Sequence, residues 1–254
     1  MAQMRDISLP PREPIAPAPS VRAPNTNPSR PLLLGDGGVL AVEWLGRVPY
    51  RPTWELQNEL AERRRRREIG DRVVLLEHDP VYTLGRGGDE THLLATPERL
   101  AAIGAELVRI DRGGDITFHG PGQLVAYPIV ELADPLDLRR YVRALESAVI
   151  ATAFRFGVRA DRVDGLPGVW VDGTRKLAAV GVRVRRGVTT HGLALNVSTD
   201  LAWFDEMVPC GIPGCQVTSL ERETGNVLAL TEVADVLAAD LARAFGLRLA
   251  PDPR

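Results

Sequence analysis

The chain has 254 residues, 44% apolar and 25% charged, a composition that excludes collagen, coiled coil and wholesale disorder. Its 31 basic residues against 33 acidic ones leave a net charge of -2, so no positive excess exists to coat nucleic acid. Two cysteines cannot build a disulfide framework, no signal-peptide pattern opens the chain, and no window reaches the roughly 18 consecutive apolar residues of a spanning helix, which together predict a protein of the reducing cytoplasm with no membrane contact.

Eight of the twenty prolines fall in residues 1–31, where no periodic apolar pattern offsets ordering entropy; this stretch is expected to be a disordered leader, followed by one domain over 32–254. A helix is predicted over 52–68. It ends in the run Arg63–Arg67, with Glu59 and Glu62 placed four residues before Arg63 and Arg66, the pattern of a solvated helix face rather than a binding patch. Strand signals follow at 72–77, 106–110 and 123–130, and a second helix at 136–157 carries Leu138, Tyr141, Val142, Leu145, Val149 and Phe156 at spacings of three and four before Gly157. After a short strand at 169–171, segments 176–185 and 188–197 alternate apolar and polar residues about Arg186-Gly187, which predicts an antiparallel hairpin with one buried face. A last helix runs over 231–245 and stops at Gly246. Helices packed on a mixed, largely antiparallel sheet make an α+β fold, without the strict alternation of a doubly wound parallel one.

Three features carry chemistry. Residues 112–123, Arg-Gly-Gly-Asp-Ile-Thr-Phe-His-Gly-Pro-Gly-Gln, place four glycines, an arginine and a histidine directly before a strand. Such a segment reads equally as a loop that lets backbone approach a ligand or as a tight turn with His119 capping a carbonyl. It is neither a Walker loop nor a dinucleotide fingerprint, because no Gly-Lys-Ser/Thr and no helix follow. Cys210 lies between Pro209 and Gly211, the setting of a rigid, reachable thiol or of a small buried hydrophobe. The two cysteines and the histidines at 78, 92, 119 and 191 match no zinc spacing, so no metal is expected. Finally, the chain holds thirty arginines and one lysine, Lys176. Lysine, unlike arginine, loses its proton when desolvated, so it can stabilise a thiolate as a cation and also act as acid or base.

These pieces together resemble the lipoyl(octanoyl) transferase family, the octanoyl-carrier-protein:protein N-octanoyltransferases. The matching blocks are His78-Asp79-Pro80-Val81-Tyr82-Thr83-Leu84-Gly85-Arg86, Arg112 through Gln123, Arg175 through Gly181, His191 through Val197 and Pro209-Cys210-Gly211. The resemblance implies a fold similar to biotin and lipoate protein ligase catalytic domains. It also implies transfer of an octanoyl group from octanoyl-acyl carrier protein to a lysine of lipoyl domains, namely 2-oxoacid dehydrogenase E2 subunits and the glycine cleavage H protein, with no cofactor. By the same resemblance Cys210 is the acyl-thioester nucleophile and Lys176 lowers its pKa. The acyl substrate would be held by Arg112, Gly113, Gly114, Asp115, Ile116, Thr117, Phe118 and His119, by Ala179, Val180 and Gly181, and by His191, Gly192, Leu193 and Ala194. Cys215 matches nothing the family needs and reads as structural. The alternative enzyme of this fold is an ATP-dependent lipoate or biotin-type protein ligase, which has no use for a Cys/Lys pair; the alternative from another class is an inactive binder that only docks a lipoyl domain.

Overall fold

The computed structural model describes residues 32–33, 38–212 and 214–251; the proposed leader therefore lies outside the described residues. In chain order the elements are β1 (Val39–Val48), α1 (Tyr50–Arg65), β2 (Arg72–His78), β3 (Val81–Leu84), α2 (Pro97–Ile103), β4 (Glu106–Arg109), β5 (Ile116–His119) and β6 (Gln123–Ile129). They continue with α3 (Leu138–Arg155), β7 (Asp161–Val163), β8 (Leu166–Val171), β9 (Arg175–Arg185), β10 (Val188–Asn196), β11 (Gln216–Val217), α4 (Leu220–Thr224), α5 (Leu230–Phe245) and β12 (Arg248–Leu249). The main sheet runs β12-β1-β2-β6-β10-β9-β8-β7, with β11 added against β9. Its pairings are antiparallel except β12 with β1, β1 with β2 and β11 with β9. The expected mixed, largely antiparallel α+β class is what the molecule has.

Pleating sends alternate side chains of β6 and β10 into two cores. Leu124, Ala126, Leu193 and Leu195 meet Leu145 and Val149 of α3 and Leu237 and Leu241 of α5. Val125, Tyr127 and Ala194 meet Leu60 and Ala61 of α1 on the opposite face. The β9–β10 hairpin turns at Arg186 and Gly187, both at positive φ (49° and 84°), as a two-residue hairpin turn of the favoured hand requires. The expectation of one buried face fails for β10, which is buried along its whole length because α1 covers the side that the alternation left polar. His191 and the threonines Thr189 and Thr190 are interior polar residues there, not solvent-facing ones.

Two further expectations change. Residues 116–119 are strand β5 of a second sheet, ordered β4-β3-β5, and not loop. Every residue of that strand is buried, and β3 supplies its partners. In the arginine run, Arg63 does pair with Glu59 (3.7 Å), yet Glu62 pairs with Arg65 (2.8 Å), one turn-step short of Arg66. Arg64 is not solvated at all; its guanidinium is buried against Asp71 (2.7 Å) and Glu131 (2.8 Å). No helix among the described residues is long and apolar enough to cross a membrane.

Candidate active site

Lys176 lies at the start of β9 and is buried, 5% exposed. Its backbone is pinned by a chain of hydrogen bonds that crosses four sequence blocks. The Lys176 carbonyl accepts from Thr218 N–H (2.9 Å), the Thr218 carbonyl from Asn196 Nδ2 (2.9 Å), and Asn196 Oδ1 from Gln123 Nε2 (2.9 Å). Gln123 Oε1 then sits 2.8 Å from His119 Nδ1, so with this amide orientation His119 carries its proton on Nδ1. The register slips between Val169 and Trp170, which face Ala178 and Lys176, leaving Leu177 as a bulge. Bulges re-aim the neighbouring side chain, and here the Lys176 ammonium stands over the Trp170 ring, 5.0 Å from its centroid.

The backbone around Cys210 forms a short 3-10 turn, Pro209–Gly211. The Cys210 side chain lies outside the described atoms. The turn is tied down at its entrance by Val208 N–H donating to the His92 carbonyl (2.7 Å) and by a bridge between Leu93 and Met207. Beneath it, Asp115 Oδ2 lies 2.5 Å from His92 Nδ1, and its Oδ1 accepts from Asp89 N–H (2.9 Å). Gly211 has φ +67°, and a Cβ there would come within 2.7 Å of Asp115 Oδ2 and 2.8 Å of His92 Cε1. Only glycine lets the turn settle this closely on the Asp115–His92 pair.

A cavity of about 350 Å³ opens beside these features, a size typical of small-molecule sites. Of the residues singled out in the sequence, Arg112, Gly114, Asp115, Ile116, Thr117, His119, Lys176, Ala179, Val180, Gly181, His191, Gly192, Leu193 and Ala194 line it. Gly113 and Phe118 do not. Gly113 donates its N–H to the Val182 carbonyl (3.0 Å), and Phe118 is packed among Tyr82, Trp203 and Phe204. Ile212 lines the same cavity as Lys176, and Pro209 lines a smaller adjoining one with Lys176. Both flanks of Cys210 therefore face space shared with the amine.

The cavity's polar wall carries the ionic side chains Arg112, Asp115 and Lys176 beside the rings of His119, His191, Tyr50 and Tyr127, with His78 just behind. His78, His119 and His191 are all buried. Burial drives their pKa values down: His78 to about 4, His191 to about 3 with help from Arg112 and Arg183, and His119 well below the usual imidazole range. Burial likewise holds the Tyr50 and Tyr127 hydroxyls protonated. His78 Nε2 meets Tyr127 Oη (2.8 Å), and Tyr50 stacks on His119 at 6.1 Å. His191 sits at φ +57°, held by its N–H to Gln57 Oε1 (2.7 Å) and its Nε2 to Asp111 Oδ1 (2.8 Å). Arg112 braces the second sheet, donating to the Thr83 carbonyl (2.7 Å) and hydroxyl (2.9 Å). The arrangement supplies an amine, neutral donors and an apolar floor; among the described residues no cluster of ligands suits a metal ion. Sequence reasoning missed Tyr50, Tyr127, Leu166 and Pro167 on the cavity wall. None carries a local signal, because each reaches the site only through sheet and helix packing.

Residues 49–242 match the lipoyl protein ligase A/B catalytic domain family. The chain is 50% identical over 211 residues to the octanoyltransferase of Chloroflexus aurantiacus, covering 82% of this chain and 95% of that protein. Two solved structures share the fold at low identity. One is an archaeal lipoylation system of Thermoplasma acidophilum, a bipartite lipoate protein ligase and its E2 lipoyl domain, with TM-score 0.62, 18% identity, and coverage of 85% of this chain and 86% of that chain. The other is the biotin protein ligase of Aquifex aeolicus in complex with biotin and ATP, with TM-score 0.50, 14% identity, and coverage of 81% and 70%.

Proposed function

The chain belongs to the lipoyl protein ligase A/B catalytic domain family and is an acyltransferase; within that family we propose that it moves an octanoyl group from octanoyl-acyl carrier protein to a lysine of a lipoyl domain through a thioester on Cys210. The observation that carries this reading is that Lys176 and both flanks of Cys210 line common space. The acceptors are lipoyl domains of 2-oxoacid dehydrogenase E2 subunits and the glycine cleavage H protein.

The chemistry follows from the residue types. A free thiol titrates near 8.5, so only a few per cent is thiolate at neutral pH, and a neighbouring ammonium raises that fraction. The Cys210 thiolate attacks the donor's thioester carbonyl, a new C–S bond forms, the old one breaks, and the carrier leaves as a thiol by taking the proton of the Lys176 ammonium, which is left neutral. This exchange is close to isoenergetic, so it needs no ATP. The acceptor lysine, with an ordinary pKa of about 10.4, costs roughly 4.6 kcal/mol to deprotonate at neutral pH. Once Cys210 is acylated its negative charge is gone, and Lys176 no longer has that thiolate favouring its proton. Neutral Lys176 then accepts a proton from the attacking amine as the amide C–N bond forms and the Cys210 thiolate departs. The cavity floor of Ala179, Gly181, Gly192 and Ala194 takes the alkyl chain, each buried methylene contributing about 0.8 kcal/mol.

Intact-protein mass spectrometry after incubation with octanoyl-acyl carrier protein, without ATP, tests the reading. One octanoyl increment on Cys210, discharged by a lipoyl domain, is expected. Transfer seen only with free octanoate and ATP would make the enzyme a ligase and overturn it. Lys176→Arg keeps a cation beside Cys210 and is expected to acylate yet form amide far more slowly; unchanged amide formation rejects the proton-transfer role.

A further inference from the structure

We infer that Glu146, a buried carboxylate on α3 outside every motif named above, is a positioning residue that holds the Lys176 side chain in place through the backbone of Gly168. The inference rests on the role of Lys176 given under the proposed function.

Lys176 has no side chain between it and β8 at this point. Gly168 stands there with φ +115°, a conformation L side chains rarely adopt, and a Cβ on it would lie 2.4 Å from the Ala178 carbonyl oxygen and 2.9 Å from Lys176 Cε. The lysine's alkyl chain thus runs directly over the glycine backbone, and the Trp170 ring two residues on receives its ammonium. Wherever the Gly168 peptide sits, the end of the lysine follows. Glu146 fixes that peptide: its Oε1 accepts the Gly168 N–H at 3.0 Å.

The carboxylate is itself held from the far side. Oε2 accepts from Arg162 Nε (3.0 Å) and pairs with Arg143 (3.4 Å), and the Glu146 side chain is 3% exposed. A buried ionic group of this kind is a weak source of net stability, since an apolar side chain of similar volume often serves as well. What the carboxylate adds is direction. One oxygen is anchored by guanidinium groups and the other is aimed at a single N–H across the α3–β8 interface. The bulge at Leu177 gives the same picture from the other strand: Lys176 stays paired with Trp170 and Val217, and the slip beside it re-aims its side chain over Gly168 toward the Trp170 ring.

Two conservative variants separate positioning from charge. Glu146→Asp keeps the charge but withdraws the carboxylate by one methylene, out of reach of the Gly168 N–H; Glu146→Gln keeps the length and an acceptor oxygen for that N–H but loses the charge. Positioning predicts that Glu146→Asp lowers kcat for transfer to a lipoyl domain by roughly tenfold to a hundredfold with KM unchanged, as expected for an angstrom-scale misplacement. It also predicts slower iodoacetamide labelling of the Cys210 peptide at pH 7, with Glu146→Gln retaining both rates. The reverse ranking, equal loss in both, or no loss in either overturns the inference, thermal melting having confirmed that each variant is folded. Lys176→Met serves as the control: if it labels as fast as the parent protein, the role of Lys176 fails, whereas slow labelling in Lys176→Met with normal Glu146→Asp overturns only the role of Glu146.

Discussion

Acidification from pH 7 to pH 5 should destabilise this protein by a calculable amount. In the unfolded chain imidazoles titrate near 6.5, whereas His78 and His191 titrate at about 4 and about 3 in the folded one. Above pH 6.5 both states are neutral and the contribution of each group is fully present. As the pH falls below 6.5 the unfolded chain binds protons that the folded chain refuses, so stability drops by about 1.4 kcal/mol per pH unit per histidine. At pH 5 this is about 2 kcal/mol for each, or about 4 kcal/mol together, a large share of a typical folding free energy of about 5–15 kcal/mol. His119 acts in the same direction. Asp71, whose carboxyl is raised by burial, opposes it, though only as the pH approaches the carboxylate range. Urea unfolding followed by tryptophan fluorescence should show a midpoint about 2 M lower at pH 5 than at pH 7, for an m-value of about 2 kcal/mol/M. His191→Asn provides the internal check. Asparagine tolerates the positive φ at this position but does not titrate, so the variant should lose roughly half of the pH dependence assigned to the two groups. Equal midpoints at both pH values in the parent protein, or an undiminished slope in His191→Asn, would refute the argument.

A methyl group at Gly192 would sit 2.1 Å from the Ala126 carbonyl oxygen and 2.8 Å from Pro128 Cδ. Gly192→Ala is therefore expected to lower stability by about 1–3 kcal/mol in thermal unfolding, because rigid backbone must move. Replacing Arg64 with Met leaves Asp71 and Glu131 without their shared guanidinium, and should cost about 3–5 kcal/mol in denaturant titration at pH 7. Gly181→Val fills part of the cavity beside Arg112 Cδ and the Gly113 carbonyl, which lie 3.0 and 3.1 Å from the new Cβ. Competition between hexanoyl and octanoyl donors should then shift toward the shorter chain, and an unchanged preference would place the chain elsewhere.

Long amphipathic elements were readable locally. The spacing of Tyr141, Leu145 and Val149 is enough to define α3, and Arg186-Gly187 marks the hairpin, because both patterns depend on neighbours a few residues apart. The same holds for the ordered blocks from His78 to Gly211 and for the lone lysine, each visible without coordinates. Periodicity went wrong where a second layer intervened. The polar positions of β10 looked exposed until α1 covered them, and Thr117-Phe118-His119 looked like loop until β3 supplied a partner strand.

The linear chain, then, determined which chemical groups are on offer: residue type and short-range order decide whether a thiol, an amine or a flexible backbone is present at all. Tertiary structure alone decided what surrounds them. The neutrality of His78, His119 and His191 comes from burial by distant segments, and the chain of bonds from His119 to Lys176 joins residues that are far apart in sequence. The placement of Glu146 behind Gly168 depends on α3 crossing β8. Desolvation and aim are properties of the packed whole, because each is set by atoms that the local sequence neither contains nor specifies.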